Sequence, residues 1–142
     1  MRAMTEKEIR DFIKTWTWGT LIAVDGNKPY AVELSYGTDG EFIHCGSMPG
    51  GRMAACIRSN PHVVFKICDA DWSYGKWRAV IIEGTAERLT RYDDILNSVR
   101  CIARQRKLPE NAFDSIARRV ADDPESNSIR IPVKVFGGKI SG

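Results

Sequence analysis

The residues able to do chemistry crowd into one stretch, Phe42 to Pro61, which reads Phe-Ile-His-Cys-Gly-Ser-Met-Pro-Gly-Gly-Arg-Met-Ala-Ala-Cys-Ile-Arg-Ser-Asn-Pro. Ser47 offers a hydroxyl and Arg52 a forked, permanently charged donor. Gly46, Gly50 and Gly51 let a ligand approach the backbone closely. Together these residues suit an anion such as a phosphate. The same residues also make an ordinary strand-to-helix turn with a surface arginine. The stretch is neither a Walker A loop, lacking Gly-Lys-Ser/Thr, nor a dinucleotide fingerprint.

Three elements must position these groups. Phe42 to Cys45 is a short apolar strand. Gly46, Pro49, Gly50 and Gly51 mark a loop. Met53, Cys56 and Ile57 fall at helical spacing, and Asn60-Pro61 stops the helix because the residue before proline avoids the α region. A helix start directly after the loop places unpaired N–H groups and a partial positive charge beside Ser47.

The rest of the chain shows little other catalytic machinery. The 142 residues are enough for a single domain over 1–142, and a net charge of +3 is too mild to announce nucleic acid. Arg100, Arg104, Arg106, Lys107, Arg118 and Arg119 read as a solvated basic helical face. Cys45, Cys56, Cys68 and Cys101 show no metal-ligand spacing, and with only His44 and His62 beside them no metal site is expected. Cys56, Cys68 and Cys101 are expected as reduced, buried thiols. No run reaches the length of a membrane span and no signal-like segment follows the N-terminus, so a cytoplasmic protein is expected.

Periodicity predicts the scaffold. Thr5 to Glu8 is a capping box opening a helix with an apolar stripe at Ile9, Phe12, Ile13 and Trp16. Trp18–Val24, Pro29–Tyr36 and Glu41–Cys45 form a predicted three-stranded meander, with a hairpin turn at Asp25-Gly26-Asn27. His62–Cys68 and a long Trp77–Leu89, bent at Gly84, follow. Two helices carry Ile95, Leu96 and Val99, then Phe113, Ile116 and Val120. Ser128–Phe136 alternates as a last strand, with Pro132 pointing to an edge or a bulge, and Gly137 onward reads as a loose end. This order predicts a mainly β (α+β) fold: a six-stranded antiparallel split β-barrel with peripheral helices.

Pro29 to Gly37, the glycine loop with Arg52, Arg58 to Pro61, Trp77 to Gly84 and the closing Gly138-Lys139 together resemble the pyridoxamine 5′-phosphate oxidase-like FMN-binding split barrel. Within it the chain is most similar to the nitroimidazole-resistance group. The resemblance implies FMN at the interface of a homodimer. It implies that Val32, Glu33, Leu34 and Ser35 lie along the isoalloxazine edge, largely through backbone groups. It places Gly46, Ser47, Gly51 and Arg52 around the phosphate, and Cys45, directly before them, nearer the flavin than His44. Arg78 and Ala79 stand where the oxidase has arginine and glutamine, so one side-chain contact to the ring is missing. Cys45 stands where the nitroimidazole-resistance group carries a histidine, and strand alternation turns His44 away from it. Trp72, Tyr74 and Trp77 are candidates to line a flavin crevice, whereas Trp16 and Trp18 are expected in core and interface packing. The implied activity is flavin-dependent reduction of a small electrophile such as a nitro compound. The alternatives are a non-catalytic flavin binder or electron carrier, or an F420- or haem-binding relative.

Overall fold

The structure is a computed structural model that describes residues 1–73 and 75–142. The elements run β1 (Arg2–Ala3), α1 (Glu6–Thr15), β2 (Trp18–Asp25), β3 (Lys28–Ser35), β4 (Gly37–Thr38), β5 (Phe42–Ser47), α2 (Arg52–Ser59), β6 (His62–Ala70), β7 (Trp77–Thr85), β8 (Glu87–Arg88), α3 (Tyr92–Gln105), α4 (Asp114–Asp122), β9 (Asn127–Pro132) and β10 (Val135–Ile140). The strands form two open antiparallel sheets. One has six strands in the order β1-β10-β7-β6-β2-β3, the other four in the order β4-β5-β9-β8. The fold is the expected mainly β split barrel, and neither sheet closes.

The core follows from strand alternation. Val32, Leu21, Phe65, Ile82 and Phe136 are paired in sequence across five strands and form one row of the inner face. Phe12 and Ile13 of α1 pack beneath them, and α1 begins with the predicted box: Thr5 Oγ1 accepts from Glu8 N–H at 3.1 Å while Glu8 Oε1 accepts from Thr5 N–H at 2.9 Å. Tyr36 is wholly buried and donates its hydroxyl proton to the Ile13 carbonyl at 2.6 Å. A second apolar cluster, Leu89, Ile95, Val99 and Ala117, joins α3 to α4.

Several sequence expectations are corrected. The three-stranded meander does not form: β3 pairs only with β2, and β5 pairs with β4 and β9 in the other sheet. The chain leaves the first sheet at Tyr36 because the next residue, Gly37, lies against the backbone of α3. A Cβ there would sit 2.5 Å from the carbonyl carbon of Cys101, so only glycine admits the helix. The long fifth strand is two, β7 and β8, split at Ala86, whose N–H turns to the Pro61 carbonyl at 2.8 Å. The last strand is also two. Pro132 has no N–H to continue the ladder, so β9 ends there and the chain crosses to the six-stranded sheet as β10. Gly137 to Ile140 is therefore no loose end, because it pairs with β7 and β1.

Strand register also decides two surface residues. Cys68 is exposed on the outer face of β6, unlike the other three thiols. Trp18, at 55% exposure, joins Ile22, Val64, Ile81 (45%) and Val135 (60%) on the outer face of the six-stranded sheet, where Lys66 and Glu83 stand among them. Among the described residues no helix is long and apolar enough to cross a membrane.

Candidate functional site

The junction of β5 and α2 keeps its predicted form with shifted bounds. β5 extends through Gly46 and Ser47, so these two are strand residues. Gly50 has φ +65, the left-handed conformation that glycine adopts without strain. Its N–H is taken by the Glu125 carbonyl at 2.9 Å, and that of Gly51 by the Met48 carbonyl at 3.1 Å. Gly51 caps α2, and no side chain caps that helix start. The helix N-terminus thus keeps its partial positive charge, while the glycine amides are already used.

A cavity of about 610 Å³ lies beside this junction, inside the range of small-molecule sites. Ser35 at the end of β3 and Cys45, Gly46 and Ser47 of β5 form one wall. Four predicted site residues from two sheets meet here. The opposite wall comes from the helices: Val99 and Ile102 of α3, Phe113 just before α4, and Ile116 and Val120 of α4. These apolar side chains are those the sequence placed on ordinary amphipathic stripes. Polar groups close the ends. Asn127 Nδ2 donates to Ser47 Oγ at 2.6 Å. Arg106 and Arg119 also line the cavity, together with Asp123.

β3 is the edge strand of its sheet, so alternate backbone N–H and C=O groups between Val32 and Ser35 have no ladder partner. Glu33 points outward and accepts a hydrogen bond from Thr20 Oγ1 at 2.9 Å, whereas Val32 and Leu34 pack toward the core.

Arg52 and Gly51 do not line the cavity. The Arg52 Nε lies 2.9 Å from Asp25 Oδ2, and its guanidinium carbon is 4.1 Å from the Tyr30 ring centroid. Arg78 and Ala79 are further away still. They lie on β7, three strand spacings from β3, or roughly 14 Å. Arg78 pairs with Asp69 at 3.3 Å and covers the Phe12 ring at 4.0 Å. One chain does not bring Arg78 and Ala79 to the other predicted site residues. Trp72 is 91% exposed on the β6–β7 hairpin, Trp77 is half-buried, and Tyr74 lies outside the described residues.

His44 and Cys45 are both buried, but in different surroundings. Cys45 borders the cavity, and burial pushes its thiol up to about 12, so it is neutral at ordinary pH. His44 turns toward α3. Burial lowers its basicity, partly offset by Asp39, whose Oδ2 is 3.1 Å from Nε2; Arg130 and Arg104 lower it further. Its Nδ1 has no hydrogen-bond partner among the described residues. Asp39, His44 and Cys101 place one ligand atom each within 4.8 Å of one another, a juxtaposition that sequence spacing did not show.

Sequence reasoning missed Arg106, Arg119, Asn127 and the whole helical wall. The basic run at 100–107 was visible, but which arginine faces inward depends on where α3 docks.

The donor set fits a phosphorylated, ring-bearing ligand. It combines hydroxyl, amide and guanidinium donors, an apolar wall and a free strand edge. Comparison with known proteins gives the family. The family model described as pyridoxamine 5′-phosphate oxidase matches residues 5–139. An uncharacterized protein, RA0666, of Rhizobium meliloti (strain 1021) is 28% identical over 89 residues, covering 63% of this chain and 58% of the relative, so the match spans under two thirds of that relative's length. Among solved structures, a candidate 5-nitroimidazole antibiotic resistance protein from Bacteroides thetaiotaomicron superposes with TM-score 0.78 at 15% identity, covering 98% of this chain and 86% of that one. A conserved hypothetical protein from Mycobacterium tuberculosis gives 0.75 at 25% identity, covering 94% and 82%. An FAD-binding protein from Mesorhizobium loti gives 0.71 at 18% identity, covering 99% and 98%.

Proposed function

Because the chain belongs to the pyridoxamine 5′-phosphate oxidase family, with its flavin-binding split-barrel fold, we propose that it is an FMN-dependent oxidoreductase reducing a small electrophile such as a nitro compound. The observation that carries this reading is the meeting of Ser35 with Cys45, Gly46 and Ser47 in one cavity beside an edge strand. The FAD-binding Mesorhizobium loti neighbour supports a flavin. When bound, the flavin would supply the redox chemistry, taking up electrons from a donor and passing them on.

The chain's own residues bind, orient and shield. Ser47, held by Asn127, and the uncapped start of α2 form the phosphate end, with Arg52 able to swing from Asp25. The free edge of β3 from Val32 to Ser35 offers backbone donors and acceptors to the ring. Val99, Ile102, Phe113 and Ile116 keep water from one side of it. Cys45 adds a neutral thiol and no charge.

The active form in this reading is a two-fold homodimer with the flavin between subunits. The exposed Trp18, Ile81 and Val135 on the outer face, set among Lys66 and Glu83, support an isologous contact. A second copy is also what would carry Arg78 and Ala79 toward a shared crevice. Four unpaired thiols suit a reducing cytoplasm.

A second reading, a flavin carrier without turnover, draws on the ionisable groups of the cavity. Among the described lining residues Cys45 is neutral, Arg106 and Arg119 are cationic, and Asp123 is the one carboxylate. The absorbance spectrum and the mass of any released chromophore test the cofactor. Anaerobic reduction by a reduced nicotinamide, then reoxidation by a nitroimidazole, tests turnover. Selective, saturable reoxidation supports an enzyme, and slow unselective reoxidation supports a carrier. A colourless protein that takes up no FMN overturns both.

A further inference from the structure

Arg106 is a cation without a carboxylate. On the same helix, Arg100 pairs with Asp114 at 2.9 Å and Arg104 with Glu110 at 2.8 Å. Arg106 has no such partner among the described residues. It lines the cavity mouth, donates to Ser35 Oγ, and its guanidinium carbon is 5.5 Å from the Phe113 ring centroid.

Its base is firmly held. Arg106 is the C-cap of α3, with its N–H on the Ile102 carbonyl at 3.1 Å. The preceding residue, Gln105, donates to the carbonyls of Ile13 at 2.8 Å and Trp16 at 2.6 Å, and accepts from Thr38 N–H at 3.3 Å. Contact at Gly37 fixes the same turn of helix against the sheet. An arginine anchored in this way loses little side-chain freedom when it meets an anion.

Its place along β3 says which anion. Arg52 stacks on Tyr30 and Arg106 meets Ser35, five residues further along an extended strand, about 17 Å. The two cations stand near opposite ends of β3, Arg106 within the cavity lining and Arg52 outside it. The phosphate end belongs to the start of α2. The other end is where a flavin ring laid along β3 would arrive.

We propose that Arg106 meets the pyrimidine end of the flavin ring and stabilises the negative charge the ring gains when it takes up a hydride. This rests on the cavity being the flavin site. The hydride, with its two electrons, comes from a reduced nicotinamide; in titration a chemical reductant supplies the two electrons and water the proton. The ring is reduced and the donor oxidised.

The test uses the full chain loaded with FMN, in wild type, Arg106→Gln, Arg106→Lys, Ser35→Ala and Arg52→Ala forms. The readouts are FMN and riboflavin affinity and the two-electron midpoint potential. Arg106→Gln should lower the preference for reduced over oxidised flavin about tenfold, a potential about 30 mV more negative. Arg106→Lys should stay near wild type. Ser35→Ala, which frees the guanidinium without removing it, should shift the potential in the same direction by less. Arg52→Ala should reduce the preference for FMN over riboflavin and leave the potential unchanged. An unmoved potential in both Arg106→Gln and Ser35→Ala overturns the assignment. So does loss of the FMN preference in Arg106→Gln, which would make Arg106 a phosphate ligand. Failure of the wild type to take up flavin overturns the reading beneath it as well.

Discussion

Arg52 and Asp25 are joined across the gap between α2 and the β2–β3 hairpin, Nε to Oδ2 at 2.9 Å, with the side chains about half exposed. Such exposed pairs are worth about 0–1 kcal/mol, whereas a charge-assisted bond to phosphate is worth about 1.5–3 kcal/mol. A phosphate brought to Arg52 would win that competition. Arg52→Ala should weaken FMN binding by about one to two orders of magnitude and riboflavin binding far less. Asp25→Asn, which removes the competitor, should strengthen FMN binding by up to about fivefold. Paired flavin titrations check both. Equal loss of FMN and riboflavin affinity in Arg52→Ala would show that Arg52 does not read the phosphate.

His44 and Cys45 are chain neighbours with opposite prospects. Burial depresses the folded-state basicity of His44, so its neutral form is favoured in the native protein. Its contribution to stability is therefore present above about pH 6.5, the unfolded value, and is lost as pH falls from there toward the lower folded value. His44→Gln should flatten that part of the stability–pH curve in denaturant melts. Cys45→Ser should leave the curve alone and alter the flavin spectrum or potential more than His44→Gln does. The reverse order would place His44, not Cys45, at the flavin.

Gly37 sits against the backbone of α3, with a Cβ position 2.5 Å from the carbonyl carbon and oxygen of Cys101 and from Ile102 N. Backbone cannot rotate away as a side chain can. Gly37→Ala should cost about 1–3 kcal/mol or more and lower the melting temperature by roughly 3–10 °C. Flavin affinity should fall as well, because the same helix carries Ile102 and Arg106 into the cavity. A thermal melt indistinguishable from wild type would mean that α3 docks elsewhere.

Ile81 is 45% exposed at the centre of the outer sheet face. Ile81→Lys sets a second positive charge directly across from Lys66 in any contact that buries this face, and should shift the protein from dimer to monomer while the monomer stays folded. Flavin occupancy should fall with it if the crevice is shared. Light scattering with absorbance on the same sample reads both. A dimer that survives the substitution would move the interface to another surface.

The sequence by itself determines the elements whose physics is local. The Thr5–Glu8 box, the hairpin at Gly26 and the helix stopped by Asn60-Pro61 each need only neighbouring residues, and all three form. The order of weak motifs from Pro29 to Lys139 was enough to reach the family. Residues that depend on sheet assignment were not legible. Alternation says that Cys68 and Ile67 face opposite ways, but not which face lies outside. Pro132 signals a break in the ladder, but not that the chain changes sheets there. The cavity was hidden for the same reason. Ser35 and Cys45 meet because β3 and β5 belong to different sheets, and Arg106 joins them because Gly37 lets α3 come close. Periodicity records which side of an element is apolar. Only long-range packing decides what that side is packed against, and so which arginine of a basic helix looks inward.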